Sequence, residues 1–168
     1  MTEELLAAQN YIMQKVPVLH VDEDWGQLDY YTNQFPVKFP CCLIDIPAVV
    51  WASKQNKAQQ GDAELVLTVA AQKLTNTSGK APLPQKQQAY AIHGYIKSLH
   101  DALHHYNLTS RCGRLVRSRW QRIKRDDGIQ EFKVVYKFVV NDIAESNTGE
   151  VTGLTLQLEV DNGIGLDT

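Results

Sequence analysis

The most conspicuous chemistry in this sequence is a run of basic side chains between residues 111 and 125. Of the 17 basic residues in the chain, ten lie outside this run, where they face 19 acidic residues, and the run itself contains no acid. Such segregation of charge favours self-association or a charged partner. The run contains Arg111, Arg114, Arg117, Arg119, Arg122, Lys124 and Arg125.

Apolar and basic residues alternate in this run, which predicts a strand over residues 115–123. On an ideal strand Arg117 and Arg119 share one face, while Trp120 and Arg122 share the other. An arginine stripe beside Trp120 could bind nucleic acid through phosphate contacts and base stacking. The alternative is a solvent-exposed face, or a contact with the acidic loop at residues 22–29 of a neighbouring copy. For that contact we expect Arg117, Arg119 and Arg122 to meet Asp22, Glu23 and Asp24.

Three histidines, His93, His100 and His104, lie in one helical stretch at spacings of seven and four. Imidazoles four residues apart on a helix can bind a metal ion. However, the acid between His100 and His104 is Asp101, where an HExxH motif has glutamate, and we expect Asp101 to point away from the histidines. A solvent-exposed or inter-subunit helix face is therefore favoured, and no metal site is predicted.

The cysteines and the acidic loop do not indicate catalysis either. Cys41, Cys42 and Cys112 are odd in number and no base stands near them in a recognisable local signature, so reduced, core-filling thiols are expected. The spacing in the acidic segment 22–29 lacks the correctly placed glycine and the terminal glutamate of a calcium loop, which favours a solvated turn. No nucleophile, base and orienting group can be assembled, so we do not expect an enzyme.

Length and composition bound the remaining possibilities. The 168 residues, 43% hydrophobic and 21% charged, are typical of one globular domain spanning residues 1–168. The amino terminus is acidic, and no apolar run approaches the ~20 residues that a membrane span requires. We expect a soluble protein, intracellular when made, with no membrane partner.

The strongest helical pattern covers residues 85–106. Apolar residues at alternating steps of three and four predict one helix of about six turns with a single apolar face. Pro82 and Pro84 mark its start, and Asn107 is a candidate left-handed cap. The apolar positions are Ala89, Ile92, Ile96, Leu99, Leu103 and Tyr106.

The other elements are a leading helix, 3–15, and a set of strands. Strands are predicted at 18–21, 41–46, 63–74, 115–123, 131–140 and 151–160. A polar connection at 53–62 is expected to turn at Gly61-Asp62, and Asp126–Gly128 is expected to close a hairpin. The order of helix, strands, helix, strands favours an α+β fold, an antiparallel β-sheet with two main helices packed on one face.

Several segments of the sequence together resemble those of a known protein family. They are the leading helix, Trp25-Gly26-Gln27-Leu28, Phe39-Pro40-Cys41-Cys42-Leu43-Ile44-Asp45-Ile46, the insert ending in Gly61-Asp62-Ala63, the long helix and the closing hairpin. In this pattern the chain resembles bacteriophage tail terminator and tail completion proteins. It departs from the shorter members in its extended 151–160 segment and its arginine-rich hairpin.

The resemblance implies a structural protein of a phage or prophage, without a cofactor. Members of that family form hexameric rings that cap the tail tube and present it to the head connector. The protein would then reside in the virion or, during assembly, in the bacterial cytoplasm. A nucleic-acid-binding or head–tail connector protein that uses the basic hairpin 111–125 is the alternative.

Overall fold

The computed structural model describes residues 1–30, 37–54, 58–73 and 75–143. Within these ranges the chain forms three α-helices, a short 3₁₀ helix at Gln27–Tyr30 and six strands. The helices are α1 (Thr2–Lys15), α2 (Leu83–Ala89) and α3 (Ala91–Leu103). The strands are β1 (His20–Glu23), β2 (Cys41–Asp45), β3 (Val49–Ser53), β4 (Ala58–Gln72), β5 (Val116–Ile123) and β6 (Ile129–Ile143).

The six strands form one sheet in the order β1-β2-β4-β6-β5, and β3 pairs with β4 beyond the end of β2. β4 and β6 pair along their whole length, from Ala58 opposite Ile143 to Gln72 opposite Ile129. All pairs are antiparallel except β1 with β2, so the sheet is mixed. The predicted α+β class is confirmed, and so is the hairpin of β5 and β6.

The helices cover one face of the sheet, which we call the helix-side face. Ile12 of α1 and Leu99 of α3 pack into the same core as Leu67 of β4 and Tyr136 of β6, all four essentially inaccessible to solvent. Burial of one such aliphatic side chain contributes ~1.5–3 kcal/mol. This core therefore supplies most of the apolar burial among the described residues.

Among the described residues, the opposite face, which we call the open face, is covered only at one end. A second cluster lies there under the 3₁₀ helix and residues 37–40, and it contains Leu28, Cys41, Leu43, Ala70 and Ile129. Farther along this face, Val50 is 72% exposed. The sheet thus has one fully packed face and one largely accessible face.

The predicted continuous helix over 85–106 is wrong in two respects. Tyr90, with φ −99° and ψ 7°, separates α2 from α3, although helix does begin directly after Pro82. α3 ends at Leu103, and the left-handed residue is His105 (φ 64°) in place of Asn107. The main-chain N–H of His105 donates to the carbonyl of Leu115, so pairing with the segment before β5 replaces further helix.

The predicted polar loop at 53–62 is also wrong, because β3 and β4 form a hairpin through this region. Gly61 lies inside β4, opposite Trp51. A Cβ atom at position 61 would collide with Cγ1 of Val49 and approach the Trp51 ring within 2.9 Å. The glycine therefore makes room for a packed aromatic side chain and does not form a turn.

Two further predictions concern the positions of strands. The first strand lies two residues later than predicted, so that Asp22 and Glu23 belong to β1 and not to a loop. The predicted strand at 151–160 lies outside the described residues.

A buried ion pair attaches α1 to the segment before β5. The Glu4 side chain is inaccessible to solvent, and its Oε1 accepts hydrogen bonds from Arg111 Nη2 at 3.1 Å and Thr109 Oγ1 at 3.3 Å. Its Oε2 lies 3.2 Å from the amino group of Met1. Burial by itself raises the pKa of Glu4, but hydrogen bonds from its own N–H and the Met1 amino group, with the charges of Met1 and Arg111, lower the pKa overall.

We predict that Glu4→Gln destabilises the protein at pH 7 by about 1–3 kcal/mol, because Arg111, Thr109 and the Met1 amino group lose the buried, ionised carboxylate that they contact. Because the folded-state pKa of Glu4 lies below its unfolded value, this stabilisation is present above pH ~4.5 and is lost as the pH falls through the folded pKa. Urea unfolding of both proteins at pH 7 and pH 3 measures the effect. A destabilisation equal at both pH values would contradict this account.

Candidate assembly interface

β5 is the outermost strand on one side of the sheet that the described residues form. An irregularity in its pairing decides on which face each arginine lies. Arg117 lies opposite Tyr136, but Arg119 lies opposite Val135, so Ser118 is an extra residue in the ladder. The Ser118 hydroxyl donates to the carbonyl of Val135 at 3.2 Å. Such a bulge reverses the alternation of side chains beyond it.

The bulge places Arg117, Trp120 and Arg122 on the helix-side face, because they lie opposite Tyr136, Val134 and Phe132. Arg119 lies on the open face. The prediction that Arg117 and Arg119 share a face is therefore wrong, whereas the prediction that Trp120 and Arg122 share one is confirmed. Arg119 Nη2 lies 4.0 Å from Glu64 Oε2, a distant surface pair.

An aromatic surface adjoins the two helix-side arginines. Trp120 is half exposed and contacts the Phe132 ring edge-on, with 5.4 Å between ring centroids. The guanidinium of Arg122 lies 5.9 Å from the centre of the same ring. His93 of α3 contacts Phe132 from the other side at 5.1 Å. Basic and aromatic groups thus form one surface between α3 and β5.

The predicted acidic partners lie on β1, at the opposite edge of the sheet. Asp22 and Glu23 are exposed and form no ion pair with any described residue. Asp24 differs, because its Oδ2 accepts a hydrogen bond from Thr68 at 2.7 Å and its Oδ1 accepts one from the N–H of Gly26 at 3.1 Å. Asp24 is therefore engaged within its own chain, and Asp22 and Glu23 are the available carboxylates.

The main-chain edge of β1 is largely satisfied by its own chain. The Gln9 side-chain amide donates to the carbonyl of Val21 at 3.2 Å, and that of Gln27 donates to the carbonyl of Glu23 at 2.6 Å. The N–H of Glu23 donates to Oδ1 of Asp22 at 2.9 Å. Capping of this kind discourages pairing with another strand. A partner at this edge would therefore meet side chains.

Two arginines of the basic run form close ion pairs within the chain, Arg111 at the surface and Arg125 largely buried. Arg111 pairs with Glu4, as described above. Arg125 contacts Asp127 at 2.7 Å and both Asp29 and Glu131 at 3.0 Å, with its side chain only 15% exposed. Its hydrogen bond to Asp127, followed by those to Glu131 and Asp29, raises the pKa of Arg125. These structural roles were not predicted, although the adjacent Asp127 was a local signal for one of them.

His93 and His100 lie on α3, and His104 directly follows it. His100 Nδ1 lies 3.4 Å from the Tyr136 hydroxyl, and burial, then the charges of Arg117 and His104, lower the pKa of His100. His104 follows the end of α3, with its ring 4.7 Å from that of His100. Within residues 1–30, 37–54, 58–73 and 75–143, no group of three or more His, Cys, Asp or Glu side chains is placed to hold a metal ion.

The cysteines are free and buried, as predicted. Burial raises the pKa of Cys41 to about 12 and also raises the pKa values of Cys42 and Cys112. Thiols in this state are poor nucleophiles at neutral pH.

A groove of about 620 Å³ crosses the uncovered part of the open face. Val50, Val116 and Val139 contribute its apolar surface, while Glu64 and Lys137 contribute charge. Lys137 Nζ lies 3.8 Å from Glu64 Oε1, so these two charges face each other. The groove residues include no combination of nucleophile and base.

Comparison with known proteins identifies a shared fold. No protein-family model matches the sequence, and no curated protein matches it. A solved structure does match, a chain of the "Virion of native gene transfer agent (GTA) particle", with a TM-score of 0.54 and 15% identity. The match covers 82% of this chain and 94% of that chain. At this identity the comparison establishes similarity of fold alone. No helix in the described part of the chain is long and apolar enough to cross a membrane.

We predict that Arg125→Met and Arg119→Met differ sharply in their effect on stability. Loss of Arg125 leaves Glu131 and Asp127 without their cation and should cost about 1.5–3 kcal/mol, the range for hydrogen bonds to charged groups. Loss of the exposed Arg119 should change stability by less than ~0.5 kcal/mol. Chemical denaturation of the two variants under conditions where each is monomeric measures both, and equal effects would contradict the assignment of Arg125 to the interior.

Proposed function

We propose that this protein is a structural component of a phage or prophage particle, of the tail terminator or tail completion type, and that it acts as a ring of identical copies. One observation carries the proposal. Asp22 and Glu23, the exposed acids of β1, lie at the opposite edge of the described sheet from the arginines of β5, of which Arg119 and Arg122 are exposed and Arg117 is half-buried. A surface whose two sides are complementary supports a head-to-tail contact that repeats from copy to copy and closes as a ring.

Two further findings support this function. The fold is shared with a chain of a gene transfer agent virion, and the sequence phrases described above resemble tail terminator proteins. By that resemblance the ring would be a hexamer that caps the tail tube and joins it to the head connector. The protein would act in the virion and would assemble in the bacterial cytoplasm.

We expect the wild-type protein to have a solution mass several times 19.0 kDa. The double variant Arg117→Glu, Arg119→Glu should shift towards the monomer mass, because it replaces attraction to the neighbour's carboxylates with repulsion on both faces. Size-exclusion chromatography with light scattering measures this mass across a range of protein concentrations.

Lys73→Glu, Lys80→Glu is the matched control. It changes the net charge equally at two exposed loop positions outside β1 and β5. The control should retain the wild-type mass. A wild-type protein that remains monomeric at all concentrations refutes the ring, and an unchanged mass in the Arg117, Arg119 variant refutes these arginines as the contact.

A second function, binding of single-stranded nucleic acid, is favoured by one observation. Trp120 is half exposed and lies between Arg117 and Arg122 on the same face. An aromatic ring flanked by guanidinium groups can stack on a base while the arginines bind phosphates.

For this second function we predict that a fluorescently labelled single-stranded oligonucleotide binds at low salt with an affinity that falls steeply as salt is added. Trp120→Ala should weaken binding by ~1–3 kcal/mol, the contribution of one stacked base. Val50→Ala, which removes an exposed apolar side chain from the open face, should have no effect. Fluorescence anisotropy measures all three proteins, and absence of binding at low salt excludes this function.

A further inference from the structure

We propose that the contact between copies pairs residues that lie on the same face of the sheet. On the helix-side face, Glu23 binds Arg117 and Arg122 of the next copy. On the open face, Asp22 binds Arg119 of the next copy. This inference rests on the proposed ring, since it names the residue pairs that would hold the ring together. It follows from strand direction, strand level and side-chain face.

Strand direction permits the contact. β1 runs parallel to β2, and each later step across the sheet, from β2 to β4, β6 and β5, reverses direction. β1 and β5 of one copy therefore run in opposite directions. When the next copy has the same orientation around a ring axis, its β1 lies antiparallel to β5 of the first.

The two edges also lie at the same level of the sheet. Through the successive registers, Glu23 is level with Ile44, Leu67, Val134 and finally Trp120. Asp22 is level in the same way with Gln121. Two copies side by side, without displacement along the strands, would thus bring the carboxylates to the middle of β5.

The side-chain faces match as well. Glu23 shares the helix-side face with Val21, which belongs to the main core, whereas Asp22 points to the open face with Leu43. On the helix-side face of β5, Arg117 and Arg122 flank Trp120; on the open face, Arg119 lies next to Gln121. Neighbours on one face of a strand are ~6.8 Å apart, a distance that an arginine side chain can span. Each carboxylate is therefore presented to an arginine on its own face.

Symmetric pairing of either edge with itself is unfavourable. A two-fold contact through β5 would place arginines against arginines, and one through β1 would place carboxylates against carboxylates. The capping of the β1 main chain by Gln9 and Gln27 leaves side chains as the means of contact. The edges therefore favour a head-to-tail contact through ion pairs over a continuous intermolecular sheet.

Charge exchange within and across faces tests this assignment. Glu23→Arg should disrupt the ring, and adding Arg122→Glu should restore it; Asp22→Arg with Arg119→Glu should behave likewise. The face-mismatched pair, Glu23→Arg with Arg119→Glu, has the same net charge and should not restore assembly. Light scattering gives the protein concentration at which half of the chains are assembled. We expect the effects of two substitutions on this concentration to depart from additivity by at least ~10-fold when both lie on one face, and hardly at all when they lie on different faces.

The outcomes separate this inference from the function on which it rests. A wild-type monomer refutes the ring and the pairing together. A wild-type ring in which within-face pairs show no coupling, or in which the mismatched pair couples equally, refutes the pairing and leaves the ring intact. Circular dichroism and thermal melts verify folding. If a charge-reversed chain does not fold, the neutral variants Glu23→Gln and Arg122→Gln replace it in the same comparison of single and double variants. Absence of coupling between these two substitutions would likewise refute the pairing.

Discussion

The antiparallel pairing of β4 with β6 is the constraint on which the described structure depends. Fifteen residues of each strand are aligned without interruption. β2, β3 and β5 pair with the outer side of one of these two strands, and β1 joins the sheet through β2. Because side chains alternate, this register sends Leu65, Leu67, Val134 and Tyr136 to the helices. A slip of one residue would turn these side chains to the open face and expose the core. The positions of both charged edges follow from the same register.

Features that depend on repeated side-chain patterns were predictable from the sequence. The amphipathic α1, the alternation in β4 and β6, and the Asp126–Gly128 hairpin all have local signals that survive in the fold. The one-sided packing of helices followed from their single apolar faces. These patterns defined the fold class because burial of apolar residues dominates each element's orientation.

Features that depend on a single residue or a distant partner were not predictable. The bulge at Ser118 reverses the faces of the arginines, yet an extra residue in a ladder leaves no trace in the order of residue types. Gly61 resembles a turn residue until Trp51 is placed over it. The parallel pairing of β1 has no local signature, since a strand's direction relative to its neighbour depends on the path of the chain between them.

The basic run shows why a count of charges is a poor measure of a surface. Its seven cations divide into two that form close ion pairs in the fold, Arg111 and Arg125, and five at or near the surface, of which Arg119 has only a distant pair with Glu64. The partners of the paired arginines include Glu4 and Asp29, roughly a hundred residues away in sequence, so only the tertiary structure separates the two groups. The candidate interface is therefore narrower than the sequence suggested, and it is centred on the three arginines of β5.

The burial of the three thiols has a practical consequence in solutions that contain oxidants or alkylating reagents. Because Cys41, Cys42 and Cys112 are sequestered in the protonated form, oxidants and alkylating reagents in the medium have little access to them. In an oxidising solution these three cysteines would therefore not readily form unintended disulfides. A cysteine introduced on the exterior could likewise carry a dye or a cross-linker at one defined position in the otherwise native protein.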